Sequence, residues 1–182
     1  MDYNFMKGRL VRLAAADYEE IASMIAKWSR DSEYWRLMAS QASRPYSVNQ
    51  TRAWFDKEPP DNFYFLIRCL ANDQVIGDIG LDGVRWNHGE TFVGIGIGER
   101  DYWGKGYGTD AMQIILRYAF QELNLQRVAL DVFEYNPRAI RSYEKAGFRH
   151  EGRVRDCLQR AGRRWDLIYM GITREEWLGT LS

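Results

Sequence analysis

Three glycines, Gly104, Gly106 and Gly108, stand at alternate positions directly before a strongly amphipathic stretch that predicts a helix. Free amide groups at a helix N-terminus, together with the positive end of the helix dipole, favour the binding of an anion. Glycine lets the backbone approach such a ligand closely. The stretch therefore predicts a phosphate site, and a flexible helix entry with glycine as a weak cap is the alternative.

The common phosphate-binding motifs do not fit this loop. The P-loop pattern fails because Glu99 stands at its first glycine and Gly106 stands where serine or threonine must follow Lys105. The dinucleotide fingerprint fails because Thr109 stands at its last glycine. What remains is GKGYGT, in which consecutive amides face one anion while the side chains of Lys105, Tyr107 and Thr109 point elsewhere. This shape predicts a pyrophosphate ligand.

A second motif, NPRAIRSYEKAGF, begins at Asn136. Asn136 can cap a helix, Pro137 takes the favoured first helical position, and Gly147 can end the helix. The motif therefore predicts a helix with a defined start and a defined end.

Taken together, WGKGYGTDA and NPRAIRSYEKAGF resemble the GNAT superfamily of acetyl-CoA-dependent N-acetyltransferases. The similarity is to the branch that includes the RimJ/RimL ribosomal-protein acetyltransferases and the spermidine acetyltransferases. It covers nearly the whole chain, since the C-terminal segment from Gly147 onward also looks like that branch. One departure is Trp103, which stands where many members have Gln or Arg at the start of the glycine loop.

The resemblance implies that acetyl-CoA is the cosubstrate and that backbone amides of the glycine loop hold its pyrophosphate. These amides belong to Lys105, Gly106, Tyr107, Gly108 and Thr109. It also implies that the pantetheine arm runs beside the strand TFVGIGI like an added strand, with main-chain partners that include Ile95 and Ile97. Asn136 is expected to hydrogen-bond the pantetheine, and a helix cap alone is the alternative.

By the same resemblance, Tyr143 is the tyrosine that protonates the departing CoA thiolate, and a core ring beside Ile140 is the alternative. Transfer to an amine also requires the ammonium group to lose a proton, so a base or a water chain is expected. Several relatives have glutamate on the strand TFVGIGI, where this chain has Phe92. Glu90 is our candidate base, and three other carboxylates stay open: Asp78, Asp82 and Glu134.

The acceptor is expected near the segment after the first helix, the strand pair around Asp82, and the final hairpin. Four residues are the candidates for binding it: Tyr34, Trp35, Asp82 and Trp86. The implied activity is acetyl transfer to a primary amine on a small molecule, a polyamine or a protein N-terminus, by direct attack in a ternary complex. The missing strand glutamate leaves a second function open, a non-catalytic acyl-CoA-binding sensor.

These motifs need a sheet and helices that bring them together. Strand patterns occupy KGRLVRLAAAD, FYFLIRCL, VIGDIGLDGVRW, TFVGIGI, RVALDVF, FRHEGRVRDCLQ and RWDLIYMGI, and helix patterns begin near Asp17, Ser47, Gly108, Asn136 and TREEW. The segment SEYWRLMASQASRPY is predicted to be irregular. The order predicts one domain over residues 1–182 of the α/β (α+β) class, with a mixed, mostly antiparallel central sheet of about seven strands and helices on both faces.

The composition narrows the class of partner. The chain has 25 Lys plus Arg and 25 Asp plus Glu, so no overall field attracts nucleic acid or an anionic membrane. The arginines between Arg153 and Arg164 predict a solvated hairpin face, with nucleic-acid binding as the alternative. Apolar runs are far shorter than the roughly 20 residues of a membrane-spanning helix. No membrane or nucleic-acid partner is expected.

Cysteine and histidine usage points to a metal-free protein of the cytoplasm. Cys69 and Cys157 lie far apart and no secretory pattern occurs at the N-terminus, so free thiols in a reducing compartment are expected. His88 and His150 have no neighbouring ligands at metal spacing. The exposed edge strands of such a sheet are compatible with a homodimer.

Overall fold

A computed structural model describes residues 4–55 and 63–181. This part contains seven strands: β1 (Val11–Ala15), β2 (Phe63–Cys69), β3 (Val75–Arg85), β4 (Glu90–Ile97), β5 (Arg127–Phe133), β6 (Arg149–Arg160) and β7 (Arg163–Thr173). It also contains six α-helices: α1 (Tyr18–Trp28), α2 (Ser32–Met38), α3 (Val48–Phe55), α4 (Tyr107–Arg117), α5 (Pro137–Ala146) and α6 (Arg174–Gly179). The predicted order of elements is confirmed, with α2 as an addition.

All seven strands form one sheet in the order β1-β2-β3-β4-β5-β7-β6. Neighbouring strands are antiparallel except β4 and β5, which are parallel. These two strands pair only at residues 90–92 and 127–129, after which they separate. The predicted mixed, mostly antiparallel sheet is confirmed, and its one parallel pair opens a gap beyond residues 92 and 129.

Apolar layers cover both faces of the sheet. In β3, Ile79 and Leu81 face the larger core, which α4 and α5 cover. On the other face, helices α1 to α3 enclose a smaller core that contains Trp28, Phe55 and Leu66. Because successive side chains of a strand point to opposite faces, each strand at the gap presents residues to both layers.

The structure corrects the prediction for residues 32–46, because α2 occupies Ser32–Met38. The Asp31 side chain caps this helix by accepting hydrogen bonds from the amides of Glu33 and Tyr34, at 3.0 and 3.2 Å. A helix this short depends on packing, and here the buried Tyr34 ring contacts Trp28 with 5.9 Å between ring centroids. The cap was a usable sequence signal, whereas the packing partner was not.

The other helix ends follow their sequence signals. Asp17 caps α1, and Thr173 with Glu176 forms a reciprocal capping box at α6. α4 continues past Arg117 as one wider helical turn that ends at Glu122. Pro59, Pro60 and Asp61 predict the end of α3, and they lie outside the described residues. No helix in the described ranges is long and apolar enough to cross a membrane.

Candidate active site

A cavity of about 720 Å³ lies at the gap between β4 and β5. Val93, Gly94 and Ile95 line it from β4, and Asp131, Val132 and Phe133 line it from β5. The glycine loop and α5 form one end, which we call the cofactor end. Tyr34, Leu37 and Met38 of α2 form the other, which we call the acceptor end.

The glycine loop at the cofactor end has a backbone that only glycine adopts easily. Gly104 and Gly106 have φ of 71° and 92°, in the left-handed region. The first backbone bond of α4 runs from the Asp110 amide to the Gly106 carbonyl at 2.9 Å. The three amides of residues 107–109 belong to the first turn, which offers them no intrahelical acceptor. They are therefore available to an anion in the cavity.

Of the three loop side chains that were predicted to point elsewhere, two lie away from the cavity. Lys105 is exposed. Tyr107 packs against the larger core and meets the Tyr102 ring edge to face at 4.9 Å. The Thr109 hydroxyl lies 2.8 Å from the Ser142 hydroxyl, which joins the start of α4 to α5. Of these three side chains, Thr109 alone lines the cavity.

Asp110 fastens the N-terminal segment to this end of the cavity. Its buried carboxylate accepts hydrogen bonds from the amides of Arg9, Leu10 and Val11 at 3.1, 2.8 and 3.0 Å. Leu10 then lies against the loop, 3.6 Å from where a Cβ at Gly106 would stand. The carboxylate thus fixes the position of Arg9, which lines the cavity.

Cationic side chains also surround the cofactor end: Arg9, Arg138, Arg141 and Lys145 line it. Arg138 lies over the Trp103 ring, with its guanidinium carbon 3.7 Å from the ring centroid. Trp103 is itself held, because its indole N–H donates to the Ile97 carbonyl at 2.6 Å. Trp103, the departure noted in the sequence, therefore positions a cation beside the loop. This charge pattern suits a ligand that carries several phosphates.

The face of β4 that borders the acceptor end carries glycines in place of side chains. Ile95 and Ile97 pack against the larger core, so Gly94 and Gly96 face the other side. A Cβ at Gly94 would meet nothing within 4 Å. A Cβ at Gly96 would stand 2.7 Å from the Tyr34 hydroxyl and 3.0 Å from the Met38 methyl group, so a side chain there would have to displace one or both of them. Both predicted pantetheine partners, Ile95 and Ile97, line the cavity.

Asn136 and Tyr143 lie in the cavity wall on α5. The Asn136 side chain caps α5 by accepting from the Ala139 amide at 3.2 Å, so the capping role is present whether or not it binds a ligand. Tyr143 is packed against the larger core, with its ring 6.1 Å from that of Phe148. Burial, and secondarily the charge of Asp131, raises the pKa of Tyr143. Its hydroxyl therefore keeps its proton at neutral pH.

Residues from the β5–β7–β6 half of the sheet hold the acceptor end in place. The Tyr135 hydroxyl donates to the Arg36 carbonyl at 2.8 Å. Arg160, at the tip of the β6–β7 hairpin, donates to three carbonyls that follow α2, those of Ala39, Ser40 and Gln41, at 2.9, 2.6 and 2.7 Å. These bonds fix the end of α2, whose residues Leu37 and Met38 line the cavity.

Several predicted residues are not brought to the cavity. Glu90 forms ion pairs with Arg85 and, at 3.4 Å, with Arg127. Asp82 is exposed and Trp86 is 53% exposed, stacked edge to face on a neighbouring ring. Trp35 packs in an aromatic group with Tyr46 and Trp54. Of the four predicted acceptor residues, only Tyr34 lines the cavity.

Asp131 is a cavity residue that the sequence analysis did not identify. It lines the gap from β5, and within the described part of the chain its carboxylate makes no hydrogen bond or ion pair. Burial raises its pKa. The signal in the sequence was an acid inside the otherwise apolar strand RVALDVF, but nothing in the pattern showed that the next strand diverges there.

Asp78 was one of the carboxylates left open as a candidate base. It lies on β3, opposite Gly96 of β4. Its side chain is half-buried and accepts a hydrogen bond from the Tyr64 hydroxyl at 2.7 Å. Burial raises its pKa to about 6, against the opposing effect of that hydrogen bond. One of its oxygens lies 3.3 Å from where a Gly96 Cβ would stand. Asp78 is therefore near the cavity wall without lining the cavity.

The arginines of the C-terminal hairpin are used within the molecule. Arg160 bonds the segment after α2, Arg153 pairs with Asp166 at 2.8 Å, and Arg163 lies over the Trp165 ring at 4.1 Å. These contacts account for three of the basic side chains without a nucleic-acid ligand. Within residues 4–55 and 63–181, no three His, Cys, Asp or Glu side chains converge as a group that can hold a metal ion.

The chain is similar in sequence to known acetyltransferases. Residues 9–149 match the acetyltransferase (GNAT) domain family. The chain is 38% identical over 135 residues to the uncharacterized N-acetyltransferase YnaD of Bacillus subtilis (strain 168), which covers 72% of this chain and 77% of that protein. It is 33% identical over 169 residues, covering 92% and 91%, to a protein of the same strain provisionally named ribosomal N-acetyltransferase YdaF.

A solved structure has the same fold. The Vibrio cholerae spermidine N-acetyltransferase in complex with CoA and spermine superimposes with a TM-score of 0.81, at 23% identity, over 93% of this chain and 98% of that chain.

Proposed function

The chain belongs to the GNAT acetyltransferase family and is an N-acetyltransferase, and we propose that it transfers the acetyl group of acetyl-CoA to a primary amine by direct attack in a ternary complex. Members of this family use acetyl-CoA, which supplies an activated acetyl thioester. The observation that carries the proposal is that the glycine loop and the half-buried, protonated Tyr143 line one and the same cavity at the gap between β4 and β5.

At the cofactor end, the amides of residues 105–109 would hold the pyrophosphate of CoA. The cations Arg9, Arg138, Arg141 and Lys145 would balance its phosphate charge. The main chain of residues 94–97 and the side chain of Asn136 would accept the pantetheine arm, since the parallel partner of β4 is missing beyond residue 92. The unpaired edge of β4 beyond residue 92 and the four cations of the cofactor end support this placement.

At the gap, Tyr143 would donate its hydroxyl proton to the thiolate that leaves. This role needs a phenol that is protonated at neutral pH and that borders the cavity, and Tyr143 has both properties. Apolar side chains such as Ile95, Val132 and Phe133 line the same cavity and would limit the hydrolysis of a bound thioester. The acceptor would enter over Tyr34, Leu37 and Met38, on the face of β4 opposite α4.

We also place the enzyme in the RimJ/RimL-like branch, working in the cytoplasm. The glycine-loop and NPRAIRSYEKAGF motifs support the branch, as does the similarity to YdaF. The free thiols of buried Cys69 and exposed Cys157 support a reducing compartment.

Release of free CoA thiol tests the proposed function. Wild type and Tyr143→Phe would be assayed with acetyl-CoA and a panel of monoamines, polyamines, aminoglycosides, amino acids and peptides with free N-termini. We expect turnover with at least one amine class and a kcat lower by about 100-fold in the variant, with CoA affinity unchanged. Tight CoA binding without turnover across the panel would overturn the proposal in favour of an acyl-CoA sensor.

A further inference from the structure

Asp131 stands in the middle of the catalytic gap. Extending the register of the parallel pair, in which Phe92 lies beside Ala129, places Asp131 next to Gly94 two residues farther along. The strands no longer pair there, and Gly94 has open space where a Cβ would stand. The carboxylate therefore faces an empty slot that is bordered by backbone on the opposite side.

Residues from both ends of the cavity lie near this slot. Asp131 lies on the same face of β5 as Phe133, whose ring stacks on Tyr135 at 5.1 Å between centroids. Tyr135 in turn bonds to the end of α2. From the other layer, Tyr143 borders the same cavity, and the charge of Asp131 contributes to raising its pKa. Asp131 is thus within electrostatic reach of the proton donor while facing the acceptor end.

The cavity offers only one carboxylate to a ligand. Among its described lining residues the acids are Asp110 and Asp131, and three backbone amides already occupy Asp110. Asp78 is half-buried behind Gly96 and accepts from Tyr64, and Glu134 and Asp166 both pair with Arg153. The remaining wall of the acceptor end is aromatic or apolar, from Tyr34, Leu37, Met38 and Phe133.

We infer that Asp131 binds the ammonium group of the acceptor and takes its proton, and that the acceptor is a monoamine with an uncharged, largely apolar body rather than a polyamine. The inference rests on the proposed function. The Asp131 side chain is exposed to the cavity and makes no hydrogen bond or ion pair within the described residues, so an ammonium group can pair with it directly. A polyamine would bring additional charges into a wall that has no further free acid.

Asp131 and Tyr143 together can account for every proton that the reaction moves. The ammonium passes one proton to Asp131, and the freed nitrogen lone pair forms the C–N bond. The C–S bond breaks, its electron pair stays on sulfur, and sulfur takes the Tyr143 proton. The second N–H proton of the new amide nitrogen returns to the Tyr143 oxygen, and Asp131 releases its proton to solvent. The products are the acetamide, CoA thiol and one proton.

The test uses 2-phenylethylamine as a monoamine probe and spermidine as a polyamine probe. We expect wild type to prefer 2-phenylethylamine, and Asp131→Asn to reduce kcat/KM for it by about 100-fold. Asp131→Glu should restore part of that loss, and Glu175→Gln, an exposed change of the same charge on α6, should have no effect. A kcat/KM for Asp131→Asn equal to that of wild type, or a preference for spermidine, would overturn the inference.

A binding measurement separates this inference from the proposed function. Calorimetric titration of 2-phenylethylamine into the complex with CoA requires no turnover. We expect Asp131→Asn to raise its Kd by about tenfold, since a hydrogen bond to a charged group is lost, while CoA affinity stays unchanged. Unchanged CoA affinity also shows that the variant is folded. If wild type binds the amine in this way without turning it over, only the proposed function fails; if the amine does not bind, the inference fails.

Discussion

The two ends of the cavity are built in different ways. The cofactor end consists mainly of backbone amides in one continuous loop, with Gly104 and Gly106 in left-handed conformations and α4 starting directly after them. The acceptor end consists of side chains from α2 and β5, which are far apart in sequence. The geometry of the cofactor end therefore depends on local conformation, whereas that of the acceptor end depends on tertiary packing. Substitutions at the two ends should therefore differ in kind.

The largest effect is expected from removing the acid that fixes the N-terminal segment at the cofactor end. Asp110→Ala leaves three buried amides without a charged acceptor, so the free energy of unfolding should fall by at least about 3 kcal/mol. Asp110→Asn keeps a carbonyl acceptor and should lose less. Urea denaturation measures both. Equal unfolding midpoints for Asp110→Ala and wild type would show that the cofactor end is stable without this long-range contact.

A stabilising effect of similar size is expected near the acceptor end, from Asp78→Asn. The folded-state pKa of Asp78 is raised from 3.8 to about 6, so its ionised form costs stability. This cost is absent below about pH 3.8, grows as the pH rises to about 6, and is constant above that. It amounts to about 3 kcal/mol, because one pKa unit corresponds to roughly 1.4 kcal/mol. The variant should therefore be more stable than wild type at pH 8.

Denaturation of Asp78→Asn and wild type across pH 4 to 8 checks this sign. The difference in unfolding free energy should shrink steadily as the pH falls. A difference that grows toward low pH would mean that the ionised carboxylate stabilises the fold, contrary to its burial.

The backbone conformation of the glycine loop and of α5 was predictable from the sequence because its signals are local. Glycines before a helix, the Asn136 cap and the Gly147 stop all act within a few residues of where they stand, and each lies where it was expected. The acceptor end was predicted less well. Trp35 and Trp86 pack against other rings outside the cavity, whereas Leu37 and Asp131 line it. Which apolar or acidic residue faces the gap depends on strand divergence, which no local pattern encodes.

The fold shows the same difference between features set by local sequence and features set by long-range packing. Strand alternation and capping residues were enough to predict the seven-stranded sheet, since these act locally or through period-two burial. The helix α2 was missed because its stability comes from the contact of Tyr34 with Trp28 in another helix. Glu90 was favoured as a base for its place beside the strand, yet its position opposite Arg85 and Arg127 makes it an ion-pair residue.

A smaller effect is expected from Gly106→Ala, which tests the local character of the cofactor end. A side chain at φ of 92° costs about 1–2 kcal/mol, so CoA affinity should weaken by about tenfold as the loop relaxes. The matched control is Gly162→Ala in the β6–β7 turn, where φ is 74° and a Cβ meets nothing within 4 Å. Calorimetric CoA titration should show a loss only for Gly106→Ala. Equal affinities in the two variants would contradict a conformational role for the loop.

The smallest effect is expected from Arg160→Met, which acts on the acceptor end from a distance. Losing three hydrogen bonds to the segment after α2 should loosen Leu37 and Met38 and raise the KM for the amine by about fivefold, the equivalent of roughly 1 kcal/mol. CoA affinity should not change. Arg155→Met, an exposed arginine of the same hairpin, serves as the control. A change in CoA affinity without a change in KM would reverse the assignment of the two ends.

Direct transfer requires the cofactor end and the acceptor end to be filled at the same time. Initial rates measured over a grid of acetyl-CoA and amine concentrations, with the best amine of the panel, test this requirement. We expect double-reciprocal lines that intersect, and a protein whose mass is unchanged after incubation with acetyl-CoA alone. Parallel lines, together with a protein that has gained an acetyl group, would show a covalent intermediate and contradict direct transfer.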